Sequence, residues 1–197
     1  MKKTAVLIYN GFCNFEISVC LEILAMAGKQ IMVFSKELNP VTSEEGVKVV
    51  PDQCIHELTI EEYDSLILPG AMDIREAIAD ESILMFIREF AARGMVIGAI
   101  SIAPILLLKA GVLGKKPFMA GVNRAELFEE GFTENDLSHM IDWDDNLKKP
   151  VQDGYMISDN IVTSVSYQFI NWGLAFGRML GIDILPETFG VGRLAGE

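Results

Sequence analysis

One stretch constrains this chain more than any other: Met95-Val-Ile-Gly-Ala-Ile-Ser101-Ile-Ala-Pro-Ile-Leu-Leu-Leu108. An apolar run rich in Val and Ile stops at a single polar residue and resumes as a helix-like run. It predicts a buried strand, a sharp turn at Ser101 and a buried helix. Ala99 and Ala103 flank Ser101 two residues away on each side, the layout of a nucleophile elbow with alanines where the G-x-S-x-G form has glycines. Small flanks matter because strand and helix approach closely there, and the turn residue projects toward the helix N-terminus. A plain strand–turn–helix with an incidental serine fits the same letters.

The rest of the chain alternates in the same way. Asn14 is placed to cap a helix carrying Ile17, Leu21 and Leu24 on one face and ending at Gly28. Residues 30–35 read as a strand. Val41 to Val50, with Glu44-Glu45-Gly46 between two β-like pieces, reads as a hairpin. Residues 65–68 form a buried strand stopped by Pro69-Gly70. Asp80 caps a helix with Ile83, Phe86, Ile87 and Phe90 inward, closed by Gly94. Two short helices are expected near 124–130 and 134–139, and a solvated acidic loop at Asp142-Trp-Asp-Asp145. Two strands, 155–158 and 161–165, turn at Asp159-Asn160, and a final helix spans 168–180.

Alternating strands and helices with short connections predict a mostly parallel sheet between helix layers, as one domain over residues 1–197. In such sheets ligands bind outside the carboxyl ends of the strands. Three segments end there: Tyr9-Asn10-Gly11, Pro69-Gly70-Ala71 and Ser101-Ile102. Their convergence marks the candidate site.

Composition narrows the function. Half of the residues are hydrophobic, which suits a sheet covered on both faces. A net charge of −12 argues against nucleic acid and against anionic membrane surfaces. Cys13, Cys20 and Cys54 have no zinc-ligand spacing and point to a reducing, cytoplasmic compartment. The apolar run behind Met1-Lys-Lys is too short for a leader, and the run of about 14 residues from Met95 falls short of the ~20 that cross a bilayer. Without a G-x-G-x-x-G or Walker-type loop, no nucleotide is expected; no cofactor and no metal enter the reading.

Ala99-Ile-Ser101-Ile-Ala-Pro104 resembles the A-I-C-x-G-P elbow of the DJ-1/PfpI family, within the class I glutamine amidotransferase-like superfamily. The opening strand Thr4–Tyr9 with Asn10-Gly11-Phe12 and Glu16, the Tyr63-Asp-Ser-Leu-Ile-Leu-Pro69-Gly70 segment, and Asp153-Gly-Tyr-Met-Ile-Ser-Asp-Asn-Ile-Val-Thr-Ser164 are similar to that family's conserved stretches. The resemblance implies a flavodoxin-like three-layer sandwich with a nucleophile elbow. It also implies a carboxyl group, here Glu16, beside the elbow residue, and backbone N–H donors for an oxyanion, here Gly70, Ala71 and Ile102. It implies a homodimer, with the first helix and the 41–50 hairpin as candidate contacts. The chain departs from the pattern in three places. Ser101 stands where the family has cysteine, Ala71 where it has a second glycine, and residues 116–123 carry no histidine.

Ser101 changes the expected chemistry. A thiol's pKa near 8.5 can be drawn below neutrality by a helix N-terminus, whereas a serine hydroxyl needs an adjacent base. Glu16 is one candidate. His139, followed by Asp142, Asp144 and Asp145, is the other, as a possible third member of a triad. His56 is expected far from the elbow. Two readings follow. One is a binding or sensing protein, or weak catalyst, with a small-molecule pocket and with thiol chemistry lost or weakened. The alternative is a small hydrolase or hydratase, amidase- or protease-like, using Ser101 with Glu16 or His139 as base. Length argues against a third, a true α/β-hydrolase esterase.

Overall fold

The computed structural model describes residues 1–192. Residues 193–197, the end of the span expected to form one domain, lie outside the described residues. In chain order the elements are β1 (Lys3–Leu7), α1 (Asn14–Met26), β2 (Ile31–Ser35), β3 (Val41–Thr42), β4 (Lys48–Val49), β5 (Gln53–Cys54) and β6 (Tyr63–Leu68). Next come α2 (Arg75–Ala79), α3 (Glu81–Ala92), β7 (Val96–Ile100), α4 (Pro104–Lys109), β8 (Phe118–Met119), α5 (Arg124–Glu129) and β9 (Met140–Ile141). The chain closes with α6 (Trp143–Lys148), β10 (Tyr155–Ser158), β11 (Ile161–Ser164) and α7 (Phe169–Met179).

The central sheet runs β10-β11-β7-β6-β1-β2-β5. Its ladders are parallel except for β10 against β11, as the alternating pattern predicts. Parallel strands buried on both faces send alternate side chains to two cores. Ala5, Leu7, Ile97 and Ala99 face a core built with Phe86, Phe90, Ile105 and Leu106. Val6, Ile8 and Ile100 face another, built with Ile17, Leu24, Trp172 and Phe176. So α2, α3 and α4 cover one face, and α1 and α7 the other. At Gly98 the second layer comes in so closely that a Cβ would lie 2.7 Å from the Phe176 ring and 2.8 Å from Trp172.

The local signals hold with instructive exceptions. Asp80 caps α3 by accepting from the Ser82 N–H at 3.0 Å, and Gly94 ends the helix with φ +63°. Asn14 was expected to cap α1, but Cys13 occupies that position and no side chain of its own satisfies the end. Glu45, from the hairpin tip between β3 and β4, accepts from the Phe15 N–H at 3.0 Å and the Asn14 N–H at 3.3 Å instead. A distant carboxylate thus replaces the local cap and complements the helix dipole. The helix expected at 134–139 is a series of turns. The expected acidic loop instead opens a helix: Asp142 caps α6 by accepting from the Asp145 N–H at 2.8 Å.

Candidate active site

Ser101 follows β7 directly and has φ +61°, one of two left-handed non-glycine residues among those described. Such a conformation costs a β-carbon residue about 1–3 kcal/mol and persists where the surroundings impose it. Here they do. The Ser101 N–H donates to the Ser164 carbonyl at the end of β11 (2.9 Å), and its carbonyl accepts from the Gly121 N–H (2.7 Å). The turn is therefore pinned from both sides, and Pro104 begins α4 with no N–H to satisfy.

Glu16 lies in the first turn of α1, 1 % exposed. Its Oε2 accepts from the Gly70 N–H at 2.7 Å, and its carboxyl is a hydrogen-bonding neighbour of the Ser101 and Cys13 side chains. Burial pushes its pKa up to about 7, partly opposed by the Gly70, Ser101 and Cys13 hydrogen bonds and reinforced by the charge of Glu44. Gly70 is glycine for a steric reason. A Cβ there would lie 2.5 Å from Glu16 Oε2 and 2.6 Å from Ser101 Cβ.

That geometry corrects one expectation. The Gly70 N–H is committed to Glu16 and is not available to an oxyanion. The Ala71 and Ile102 N–H groups have no hydrogen-bond partner among the described residues. Ala71 is held by the Phe12–Ala71 bridge, whose flanking bonds run from Cys13 N–H to the Gly70 carbonyl and from Met72 N–H to the Gly11 carbonyl. A hollow of about 260 Å³ beside the elbow is lined by Ile102, Val122 and Met72.

His139 is not brought to this group. It is exposed, and its carbonyl accepts from the Phe118 N–H at the start of β8. From Phe118 to Gly121, which touches Ser101, is about 10 Å of extended chain. The aspartates that follow it serve Arg124, whose guanidinium lies 2.9 Å from Asp142 and 2.6 Å from Asp145. His56 is exposed in a 3₁₀ turn at 55–57, beside β5 at the far edge of the sheet. Among the described residues, no group of three or more His, Cys, Asp or Glu side chains is placed to hold a metal ion.

Four neighbours, Cys13, Glu44, Tyr9 and Gly121, make contacts at the site that the sequence reading did not assign. The Cys13 thiol donates to Glu44 at 2.8 Å. Burial, that bond and the surrounding carboxylates push its pKa far up, so it stays a thiol. The Tyr9 hydroxyl donates to the Pro69 carbonyl, and burial and Glu16 raise its pKa. Gly121 backs the elbow, where a Cβ would stand 3.1 Å from Ser101 Cα. Adjacency to Glu16 was the only sequence signal for Cys13; Glu44 and Gly121 had none.

A doubly wound, mostly parallel sheet with a left-handed elbow residue at a strand's carboxyl end and a buried carboxyl group facing it defines a class of α/β protein with a nucleophile-elbow pocket. Within that class the chain belongs to the DJ-1/PfpI family, whose model matches residues 2–176. It is 32 % identical over 118 residues to the Escherichia coli (strain K12) protein/nucleic acid deglycase 2, covering 58 % of this chain and 69 % of that one. It is 23 % identical over 151 residues to the Caenorhabditis elegans glutathione-independent glyoxalase DJR-1.2, covering 77 % and 73 %. Its fold superposes on a DJ-1 superfamily protein from Agrobacterium tumefaciens with a TM-score of 0.77 at 19 % identity, over 96 % of this chain and 94 % of that one. For Drosophila melanogaster DJ-1beta the TM-score is 0.72 at 20 % identity, over 92 % of each.

Proposed function

We propose that this chain captures small carbonyl compounds reversibly at Ser101, as a binding or sensing protein with at most weak turnover. The observation that carries this reading is the Glu16 carboxyl beside the Ser101 hydroxyl, buried and raised to about 7, with no imidazole adjoining. The family resemblance implies a thiol at the elbow. A hydroxyl there has no comparable route to a stable anion, so thiolate chemistry is lost or weakened.

The site suits addition to a carbonyl. Ser101 Oγ bonds to the carbonyl carbon while its proton passes to the Glu16 carboxylate. The carbonyl π pair moves onto oxygen, which the Ala71 and Ile102 N–H groups receive. Glu16 then returns the proton to that oxygen, giving a neutral hemiacetal, and the reverse steps release the aldehyde. A carboxyl with a pKa near 7 populates both of its forms at neutral pH, which suits both proton transfers. The names of the relatives, a glyoxalase and a deglycase, support a carbonyl ligand class. The same property of Glu16 also favours the hydratase form of the alternative, with Glu16 passing a water proton; His139 has no part in it.

In this reading residues 1–197 act as one cytoplasmic DJ-1/PfpI-like domain that pairs as a homodimer and takes neither nucleic acid nor membrane as a partner. The test uses ¹³C-labelled methylglyoxal. A saturable bound resonance is expected for the wild type and is lost in Ser101→Ala. Ser101→Cys is expected to gain turnover by about two orders of magnitude, with a thiol that iodoacetamide modifies at an apparent pKa below ~8.5. Wild-type turnover equal to that of Ser101→Cys, abolished in Ser101→Ala, would replace this reading with a working serine enzyme.

A further inference from the structure

The hairpin between β3 and β4 is fastened to the loop after β1 and to the start of α1. Gly11 N–H donates to the Thr42 carbonyl at 2.8 Å, and Glu44 N–H donates to the Phe12 carbonyl at 2.9 Å. Glu45, next in the chain, accepts from the Phe15 and Asn14 N–H groups. Within the tip, Ser43 N–H donates to the Val47 carbonyl at 2.8 Å, and the Ser43 hydroxyl accepts from the Val47 N–H at 3.2 Å. Glu44 is exposed, yet its backbone is tied on both sides. Its carboxylate is thereby held against Cys13, whose thiol donates to it at 2.8 Å.

Cys13, itself 6 % exposed, is a neighbour of two carboxyl groups, the exposed Glu44 and the buried Glu16. A thiol carries one proton. The two carboxyls compete for it, and the geometry directs it to Glu44. Glu16 keeps the Gly70 N–H at 2.7 Å and the Ser101 hydroxyl as its other donors. The negative charge of Glu44 also acts on Glu16 directly. Both effects disfavour the carboxylate form. Among the described residues, no lysine, arginine or histidine is paired with Glu16, Glu44 or Glu45. The other titratable group facing Glu16 is the Tyr9 hydroxyl beyond the end of β1, committed to the Pro69 carbonyl. α7, packed on α1, carries only Arg178, which donates to the Tyr155 hydroxyl at 3.2 Å. α4, after the elbow, carries only Lys109, which lies over the Phe132 ring.

We infer that Glu44 is a positioning residue for the elbow: by claiming the Cys13 thiol proton and standing as a like charge, it governs how readily Glu16 takes the proton of Ser101. The hairpin thus acts on the site through Cys13, without touching the reacting atoms. The consequence for carbonyl capture rests on the function proposed above; the link from Glu44 to Glu16 does not.

The test is a carboxyl ¹³C NMR titration of the full chain labelled at glutamate, with the Glu16 resonance identified by its loss in Glu16→Gln. The wild-type midpoint is expected near 7. Glu44→Gln removes the charge and competes less for the thiol proton, so the midpoint is expected to move down by about one pH unit. In a Cys13→Ala background the same change is expected to move it by less than half as much. Glu45→Gln removes an equal charge from the same hairpin tip but not from the thiol, and is also expected to move it by less than half as much. Glu44 is exposed, so its variant folds, and a merely structural role would leave the midpoint in place. The pH at which ¹³C-methylglyoxal capture reaches half its maximal rate is expected to move down with the Glu16 midpoint. An unmoved midpoint in Glu44→Gln, an equal shift in Glu45→Gln, or an undiminished shift without the thiol would overturn the inference. A midpoint that moves in a chain that captures no carbonyl would overturn the proposed function and leave the link from Glu44 to Glu16 standing.

Discussion

At the scale of the residue, two side chains hold free energy that the fold must supply. Glu16 is pushed by burial from the ordinary carboxyl value of 4.5 to about 7. The folded chain therefore holds a proton that the unfolded chain has already released between those values. The stabilisation tied to that proton is complete below pH 4.5 and lost as the pH rises to 7, about 3 kcal/mol across the window. Denaturant unfolding from pH 4.5 to 8 is expected to show this decline in the wild type and a flatter profile in Glu16→Gln. Equal slopes would mean that Glu16 is ionised throughout. Ser101 is the second. Its left-handed backbone favours glycine, so Ser101→Gly is expected to stabilise the chain by about 1 kcal/mol while removing the hydroxyl to which the proposed carbonyl capture is assigned. Ser101→Ala, which keeps the strain and loses only a half-exposed hydroxyl, is expected to change stability by less than about 1 kcal/mol. Equilibrium unfolding of the two variants checks both signs.

At the scale of the element, the close approach of α7 to the sheet depends on a missing side chain. β7 must carry Ser101 to the carboxyl edge while Trp172 and Phe176 pack on its middle, and only glycine at 98 leaves room. Gly98→Ala is expected to cost about 1–3 kcal/mol by overpacking and to disturb the elbow two residues on. A fall in denaturation midpoint at unchanged m-value would report it. Unchanged stability would show that α7 shifts freely. The elements most legible in the sequence are those with local punctuation: α3 between Asp80 and Gly94, and the strand–turn–helix at Ser101. Those misread have other causes. The 134–139 segment carries helix-compatible letters, but its chain makes only turns between α5 and β9. The start of α1 is capped by a glutamate thirty residues away, beyond the reach of any local pattern.

At the scale of the whole molecule, the expectation to test is pairing. Phe15 on α1 and Val47 and Val50 at the hairpin are 41, 47 and 65 % exposed. Glu45 ties the hairpin tip to the start of α1, so these side chains lie on connected elements. Apolar side chains grouped in this way mark an association surface more readily than scattered ones. Sedimentation at micromolar concentration is expected to give twice the 21.8 kDa chain mass, and Phe15→Glu is expected to shift it to the monomer. A wild-type monomer would refute the expectation.

The sequence by itself determined what depends on neighbours along the chain. Its apolar runs, its turns and most of its caps were enough for the parallel sheet and its two helix layers, because burial on both faces and period are local properties of the letters. Tertiary structure decided what depends on groups distant along the chain. Gly70 gives its N–H to a carboxylate 54 positions earlier. Glu44 reaches the thiol of Cys13 across 31, and Gly121 comes to lie on the elbow. The raised proton affinity of Glu16 belongs with these. It is a property of the space into which the side chain is folded, where water is excluded and the opposing charges of solution are absent.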